Sequence, residues 1–299
     1  MRVFVTGASG WIGSAVVPEL LDAGYDVVGL ARSDEAGAAV AAVGADVLRG
    51  SLDDLGSLRA GAEDADAVLH LAFKHDFTDY AGAGRTERAA IETFGTVLKG
   101  SDRKLLFASG AAGIGGRVLT ELDESPFVGL DSPRGGAERL ALDLVEQGVA
   151  SVALRFPPTV HGDGDKGFVF TLIGIARERG ASGYVGDGAN CWPAVHRNDA
   201  ARVVRSALEK APAGSRVHAI AEEGIPTRAI AEVIGRHLDV PVVSIPRAQT
   251  GEHFGWIGAI FGLDIKADSS LTRELLAWTP SHPGLIEDLE SGHYFHDLT

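Results

Sequence analysis

The chain is almost without sulfur: of its 299 residues, one is cysteine and one is methionine. Cys191 alone excludes an intrachain disulfide and a cysteine-based metal framework, and it reads as a small buried hydrophobe. Long apolar runs are missing too. The stretch from Phe254 to Leu263 is shorter than a membrane span and is interrupted by glycines. Residues 2–5 already read as a strand, and Gly7 ends that apolar run before the core of a leader forms, so no signal peptide and a cytoplasmic location are expected. Positive charge is scarce. With 27 Lys and Arg against 41 Asp and Glu, the net charge of −14 repels nucleic-acid phosphates and anionic lipid heads, so neither is an expected partner. No His/Glu cluster has the spacing of a metal site, and no GxSxG elbow marks a serine hydrolase. What remains is an ordinary soluble composition, 45% hydrophobic and 23% charged, on a chain long enough for a substantial core.

Within that composition, short apolar runs alternate with helical patterns. Strands are predicted at Val3–Val5, Asp26–Leu30, Asp46–Leu48, Ala67–Ala72, Lys104–Ala108 and Ser151–Leu154. The spacing predicts helices over Trp11–Ala23, Ala36–Val43, Asp53–Gly61, Arg85–Leu98 and Pro133–Glu146, the first interrupted by Pro18, which removes a hydrogen bond and should kink it. Strands and helices in this alternation predict right-handed βαβ units: an α/β fold with a doubly wound parallel sheet. The second half is less regular. Phe168–Arg179 is helical, Gly183–Ala194 reads as glycine-rich and irregular, and Asp199 and Thr227 read as N-caps of helices over 200–210 and 228–238. A composition shift near residue 156 predicts a smaller lobe laid over the sheet, so that residues 1–156, with about 195–220 returning to them, form one domain, and 157–194 with 221–299 form a substrate lobe.

The strongest local signal is Thr6-Gly7-Ala8-Ser9-Gly10-Trp11-Ile12-Gly13, set between the first strand and the first helix. Gly7 permits a tight turn off the strand. Gly10 lets a pyrophosphate approach the backbone, and Gly13 lets the helix pack closely on the sheet. The amides of this segment, those of Trp11 and Ile12 included, then face the anion at the positive end of the helix dipole. Spacing and context together predict a Rossmann-type dinucleotide site.

This TGxxGxxG turn resembles that of the extended short-chain dehydrogenase/reductase superfamily, which includes NAD-dependent epimerases and dehydratases, and the resemblance runs nearly the whole chain. Leu52-Asp53 resembles the family's adenine-contacting segment, and His70-Leu71-Ala72, continued by Phe73, the tail of its fourth strand beneath the nicotinamide. Phe156-Pro157 and the following Val160-His161-Gly162 are similar to RPxxVYG, Val195–Asp199 to VHVDD, and Leu276-Ala277-Trp278-Thr279-Pro280 to LGWxP. The resemblance implies a Rossmann fold, a small-molecule substrate, and a homodimer through the helices at about 85–98 and 133–146.

At the end of the second strand, where an acid would select NAD, the chain has Arg32 and Ser33. A guanidinium there can fork onto a 2′-phosphate while the serine donates a further hydrogen bond, so NADP(H) is the expected cofactor; the alternative is a plain surface cation. The family's Ser-Tyr-Lys set is broken. Counting back from Ala137-Glu138 puts Leu130 at the tyrosine position and Arg134 at the lysine position, while Ser109 aligns with the first serine and Gly110 takes the place of the catalytic one. Leu130 transfers no proton. This departure resembles the atypical subgroups of the superfamily. Arg134 remains a candidate for the ribose hydroxyls, or a surface residue. Proton donors are sought in His75 and Asp76, just after the fourth strand, with Asp76 a helix cap in the plainer reading. His161, after the sixth, is the second histidine candidate against a packing role, and Tyr80 a weaker one. Trp192 and His196 are expected to shape the substrate side, and Phe254, Trp256 and Phe261 to pack, with an apolar lid or a dimer contact as the alternative. The expectation is an NADPH-dependent reductase of a carbonyl, imine or activated alkene. An epimerase or dehydratase, or a non-catalytic NADP(H)-binding regulator, stands as the alternative.

Overall fold

The fold comes from a computed structural model, which describes residues 1–74, 79–111 and 117–296. The first half runs β1 (Arg2–Thr6), α1 (Gly13–Asp22), β2 (Asp26–Ala31), α2 (Asp34–Ala42), β3 (Asp46–Arg49), α3 (Leu55–Glu63), β4 (Ala67–His70), α4 (Tyr80–Leu98), β5 (Lys104–Gly110), α5 (Ala137–Asp143) and β6 (Ala150–Phe156). The second half continues with β7 (Thr159–His161), α6 (Phe168–Arg179), β8 (Ser182–Val185), β9 (Cys191–His196), α7 (Arg197–Lys210), β10 (Arg216–His218), β11 (Glu222–Pro226), α8 (Thr227–Leu238) and β12 (Val242–Ile245). Four short helices close the chain: α9 (Thr250–Phe254), α10 (Gly258–Phe261), α11 (Ser270–Leu276) and α12 (Leu285–Glu290).

Seven strands form one parallel sheet in the order β10-β6-β5-β4-β1-β2-β3. The middles of its central strands are apolar, as strands covered on both faces must be, and all four residues of β4 are buried. On one face Val3, Val5 and Leu69 pack with Val16, Val17 and Leu20 of α1 and Val203, Val204 and Ala207 of α7. On the other, Phe4, Val68 and Phe107 pack with Leu58 of α3 and Ile91 and Phe94 of α4. From β1 the chain winds outward to β2 and β3 in one direction and, after crossing back, to β4 and β5 in the other. The carboxyl ends of β1 and β4 thus flank the switch point, the crevice where open α/β sheets bind ligands. The later segments add a three-stranded sheet, β11-β9-β7, and a pair, β12-β8, around a separate cluster that includes Ile173, Trp192, Ile230, Phe254 and Phe261.

Several local expectations are corrected. The region over Gly183–Ala194 is not irregular: it holds β8 and most of β9, whose apolar residues are buried beneath α6 and α8. Trp192 is fully buried in that cluster and does not shape an open substrate face. Asp199 does not cap α7, because β9 runs directly into the helix and the His196 ring accepts from Asn198 N instead. The Asp199 carboxylate turns inward and receives the backbone amides of Ser281 and His282 at 3.0 and 2.9 Å. Thr227 is the first residue of α8, and its hydroxyl donates to Asn190. The helix α4 begins five residues earlier than its periodicity predicts, at Tyr80, because the Asp79 carboxylate accepts from Gly82 N at 2.8 Å. Finally, no continuous helix covers Pro133–Glu146. Arg134, Gly135 and Gly136 are all left-handed (φ 55, 60 and 64°), so a single 3₁₀ turn stands before α5.

Candidate active site

The glycine-rich turn is built by backbone fit. Gly7 sits at φ +72°, and a Cβ there would meet the Ala72 amide nitrogen at 2.8 Å, so the turn is pressed against Leu71-Ala72 beyond β4. At Gly13 a Cβ would lie 2.0 Å from the Gly7 carbonyl oxygen, a distance no side chain tolerates. Thr6 locks the same junction: its hydroxyl lies 2.7 Å from His70 Nδ1 and accepts from the Ala72 amide at 3.3 Å. Burial, and after it the charge of Arg134, lowers the His70 pKa to about 3, so the ring is neutral and its Nδ1 accepts the Thr6 proton. The first turn of α1 carries no acidic residue and no side-chain cap, which leaves the positive end of its dipole for an anion. Trp11 ties this turn to the smaller lobe, donating its indole N–H to Val160 O at 2.7 Å while the Arg197 guanidinium lies 4.2 Å from its ring centre.

At the end of β2, Arg32 is exposed and has no ion pair among the described residues. Ser33 is already engaged as the cap of α2, its Oγ accepting from Ala36 N at 3.2 Å. A residue not anticipated from sequence joins them: Arg49, at the end of β3, donates to Ser33 O and pairs with Asp34 at 3.0 Å. The parallel register that sets Ala31 opposite Arg49 places it there, and strand pairing is invisible in a single sequence. Leu52 is half-buried, and the neighbouring Asp53 is held by Lys74 at 2.5 Å.

The other end of the crevice is lined by Phe73, Ala108, Ser109, Gly110 and the Arg134 turn. Arg134 makes a bidentate ion pair with Glu87 of α4, which is buried, and donates to Ala108 O at 3.0 Å; its guanidinium stacks 4.4 Å from the Phe73 ring centre. It therefore belongs to the wall of the crevice, and its charge is matched at once. Glu87 gave no sequence signal, since it looks like any helical glutamate. Ser109 is also engaged, donating to Glu138 at 2.6 Å. Glu138 in turn holds the fully buried Arg155 in a bidentate pair, with Arg155 reaching Asp123 O at 2.8 Å and His218 Nε2 at 3.3 Å. Among the described residues nothing stands where a Gly110 side chain would be, and Phe156 and Pro157 are buried behind it, Phe156 O accepting from the Ala111 amide at 2.8 Å. Leu130 points outward, 59% exposed.

Of the acid candidates, His75 and Asp76 lie outside the described residues. His161 is fully enclosed in the smaller lobe, donating from Nδ1 to Asp288 at 2.8 Å, with the His196 ring 5.4 Å away and stacked in turn on His282. Burial alone would raise the Asp288 carboxyl, but hydrogen bonds from His161 and His293 outweigh it and hold it below the usual carboxylate range. A depressed carboxylate stabilises the fold above its unfolded pKa, about 4, and that contribution fades as pH falls through the folded value. Asp288→Asn should lower the melting temperature at neutral pH and make progressively less difference below about pH 4, which thermal melts of both proteins across pH would check.

A glycine turn feeding an uncapped helix at the switch point of a doubly wound sheet defines the chain as a dinucleotide-binding α/β protein. It belongs to the NAD dependent epimerase/dehydratase family, whose profile matches residues 3–221. An uncharacterised protein of Schizosaccharomyces pombe is 46% identical over 297 residues, covering 99% of this chain and 100% of that one. A 4-hydroxy-2-methyl-3-oxo-4-farnesyl-3,4-dihydroquinoline-1-oxide ketoreductase of Stigmatella aurantiaca is 31% identical over 190 residues, 60% of this chain and 56% of that one. Among solved structures, a dTDP-glucose 4,6-dehydratase from Streptomyces venezuelae with NAD bound superposes with a TM-score of 0.77 at 20% identity, covering 98% of this chain and 96% of that one. The family binds NAD(P), and the chain shares its fold.

Proposed function

We propose that the chain is an NADPH-dependent reductase of a small carbonyl, imine or activated-alkene metabolite. The observation that carries the reading is the pairing of an uncapped, acid-free α1 terminus with an exposed Arg32 at the end of β2 that has no ion pair among the described residues. A 2′-phosphate there would meet the Arg32 and Arg49 guanidinium groups, with the Ser33 hydroxyl as a further donor. Phe73, Ala108 O and the Arg134 turn would hold the nicotinamide ribose, and Gly110, which has no neighbour at its Cβ position among the described residues, would leave room for substrate beside the ring. Bound NADPH supplies a hydride there. The chain's own residues orient the substrate, close the crevice to water and provide the proton, for which His75 and Asp76, which follow β4 in the sequence, are candidates. The ketoreductase name of one relative is consistent with this chemistry.

A non-catalytic NADP(H)-binding role is favoured by one observation: with Leu130 turned outward and Ser109 and Arg134 both engaged, the family's usual proton-transfer set is absent. Following NADPH consumption over a panel of aldehydes, ketones and imines separates the two. Turnover of at least one substrate, reduced about 100-fold or more in His75→Ala if that residue is the acid, supports the reductase. NADPH binding with no turnover across the panel supports the regulator.

A further inference from the structure

The vacant tyrosine position has a substitute on another element. Tyr80 and Glu87 are seven residues apart on α4 and share a helical face, with Gly84 between them. That face packs on the Arg134 turn so closely that a Cβ on Gly84 would meet the Gly135 amide nitrogen at 2.8 Å. The Tyr80 ring lies 6.0 Å from that of Phe73, whose ring also carries the Arg134 guanidinium at 4.4 Å. Phe73 follows β4 and Arg134 holds the carbonyl of Ala108 in β5, so the whole group stands on the carboxyl rim of the two strands that line the nicotinamide end. Tyr80 itself is 37% exposed.

We propose that Tyr80 is the proton donor of this site, with Arg134 the cation that faces its phenol and Glu87 the buried anion that sets the strength of that cation. The inference rests on the reductase reading. As the new C–H bond forms at the carbonyl carbon, its electron pair and hydrogen come from the reduced nicotinamide. The carbonyl oxygen keeps the pair of the broken π bond and takes the phenolic proton of Tyr80, and the phenolate is then reprotonated from water. The arrangement performs the task of a Tyr–Lys pair from two elements where relatives use one helix. It has to, because the left-handed run at Arg134–Gly136 leaves no helix on which residues 130 and 134 could share a face. Burial holds the phenol above its ordinary value and so protonated, while the Arg134 charge pulls it down and Glu87 opposes that pull. The remaining charges at the start of α4, Asp79 and Arg85, lie 3.9 Å from each other and offset one another.

The test begins with NADPH binding and the NADPH-dependent reduction of 4-nitrobenzaldehyde by wild type, Tyr80→Phe and His75→Ala. Tyr80→Phe should bind NADPH within about twofold of wild type while kcat falls about 100-fold or more. Subtracting the tyrosinate absorbance titration of Tyr80→Phe from that of wild type isolates one phenol. Its pKa should fall by about half a unit or more in Glu87→Gln, and also in wild type saturated with NADP⁺, whose nicotinamide ring is cationic. If wild type binds NADPH but does not reduce the aldehyde, the titration alone decides. A Tyr80→Phe enzyme with kcat within about threefold of wild type, or a phenol unmoved by either change, overturns the proposal. Full activity in Tyr80→Phe beside a large loss in His75→Ala transfers the role to the loop. Absence of NADPH binding in wild type instead removes the underlying reading.

Discussion

Gly10→Ala should weaken NADPH binding by about 100-fold, a loss of about 2.7 kcal/mol, while leaving the fold intact. The reasoning is geometric. Gly10 does not need a positive φ, and among the described residues its Cβ would meet only the Gly7 carbonyl group within 4 Å, at 3.1 Å for the oxygen. The methyl group would otherwise stand in open space, on the side from which a pyrophosphate must reach the amides before α1. Closing that approach forces the anion outward by more than a hydrogen bond can stretch. Gly13→Ala should behave differently, because its Cβ would lie 2.0 Å from Gly7 O and so disturb the turn itself. That variant should lose stability as well as affinity. Thermal melts beside fluorescence titrations with NADPH distinguish the two effects. A Gly10→Ala protein that binds NADPH as wild type does would place the pyrophosphate elsewhere.

Arg32→Ala should reduce NADPH affinity by about 30- to 200-fold, corresponding to about 2–3 kcal/mol for a charge-assisted contact, and should change NADH affinity by less than about threefold. The selectivity of the effect is the point. A guanidinium that recognises the 2′-phosphate contributes nothing to a cofactor that lacks it. Arg32 is unpaired among the described residues, so its removal leaves no buried charge behind and should not affect folding. The residual preference for NADPH would then report Arg49, whose guanidinium is shared with Ser33 O and Asp34. Equal losses for both nucleotides would mean that Arg32 supports the adenine ribose or the loop and does not read the phosphate.

The architecture was legible in the sequence because it rests on signals that are local. Six apolar runs alternating with helical periods are enough to imply a parallel sheet, and the glycine spacing between Thr6 and Gly13 locates the crevice at its switch point. The wall of the crevice was less legible, since charge partners are set by tertiary packing. Arg134 reads in sequence as a candidate for the ribose hydroxyls or a surface residue, and nothing there shows that Glu87, 47 positions away, neutralises it. Ser109 aligns with the first serine of the family's set, and its hydroxyl donates to Glu138, which the fully buried Arg155 also engages. Leaving a member of such a buried pair unmatched costs about 3–5 kcal/mol, which favours keeping these charges matched whatever the site does. The caps failed for a related reason. Asp199 and Thr227 have suitable side chains in suitable places, but Ser281, His282 and Asn190 claim them from distant parts of the chain.

Equilibrium titration of the purified wild-type protein with NADPH and, in parallel, NADH tests the central claim most directly. The account predicts saturable NADPH binding at least about tenfold tighter than NADH, a difference of about 1.4 kcal/mol or more. No saturable binding of either nucleotide, or NADH bound as tightly as NADPH, would contradict it.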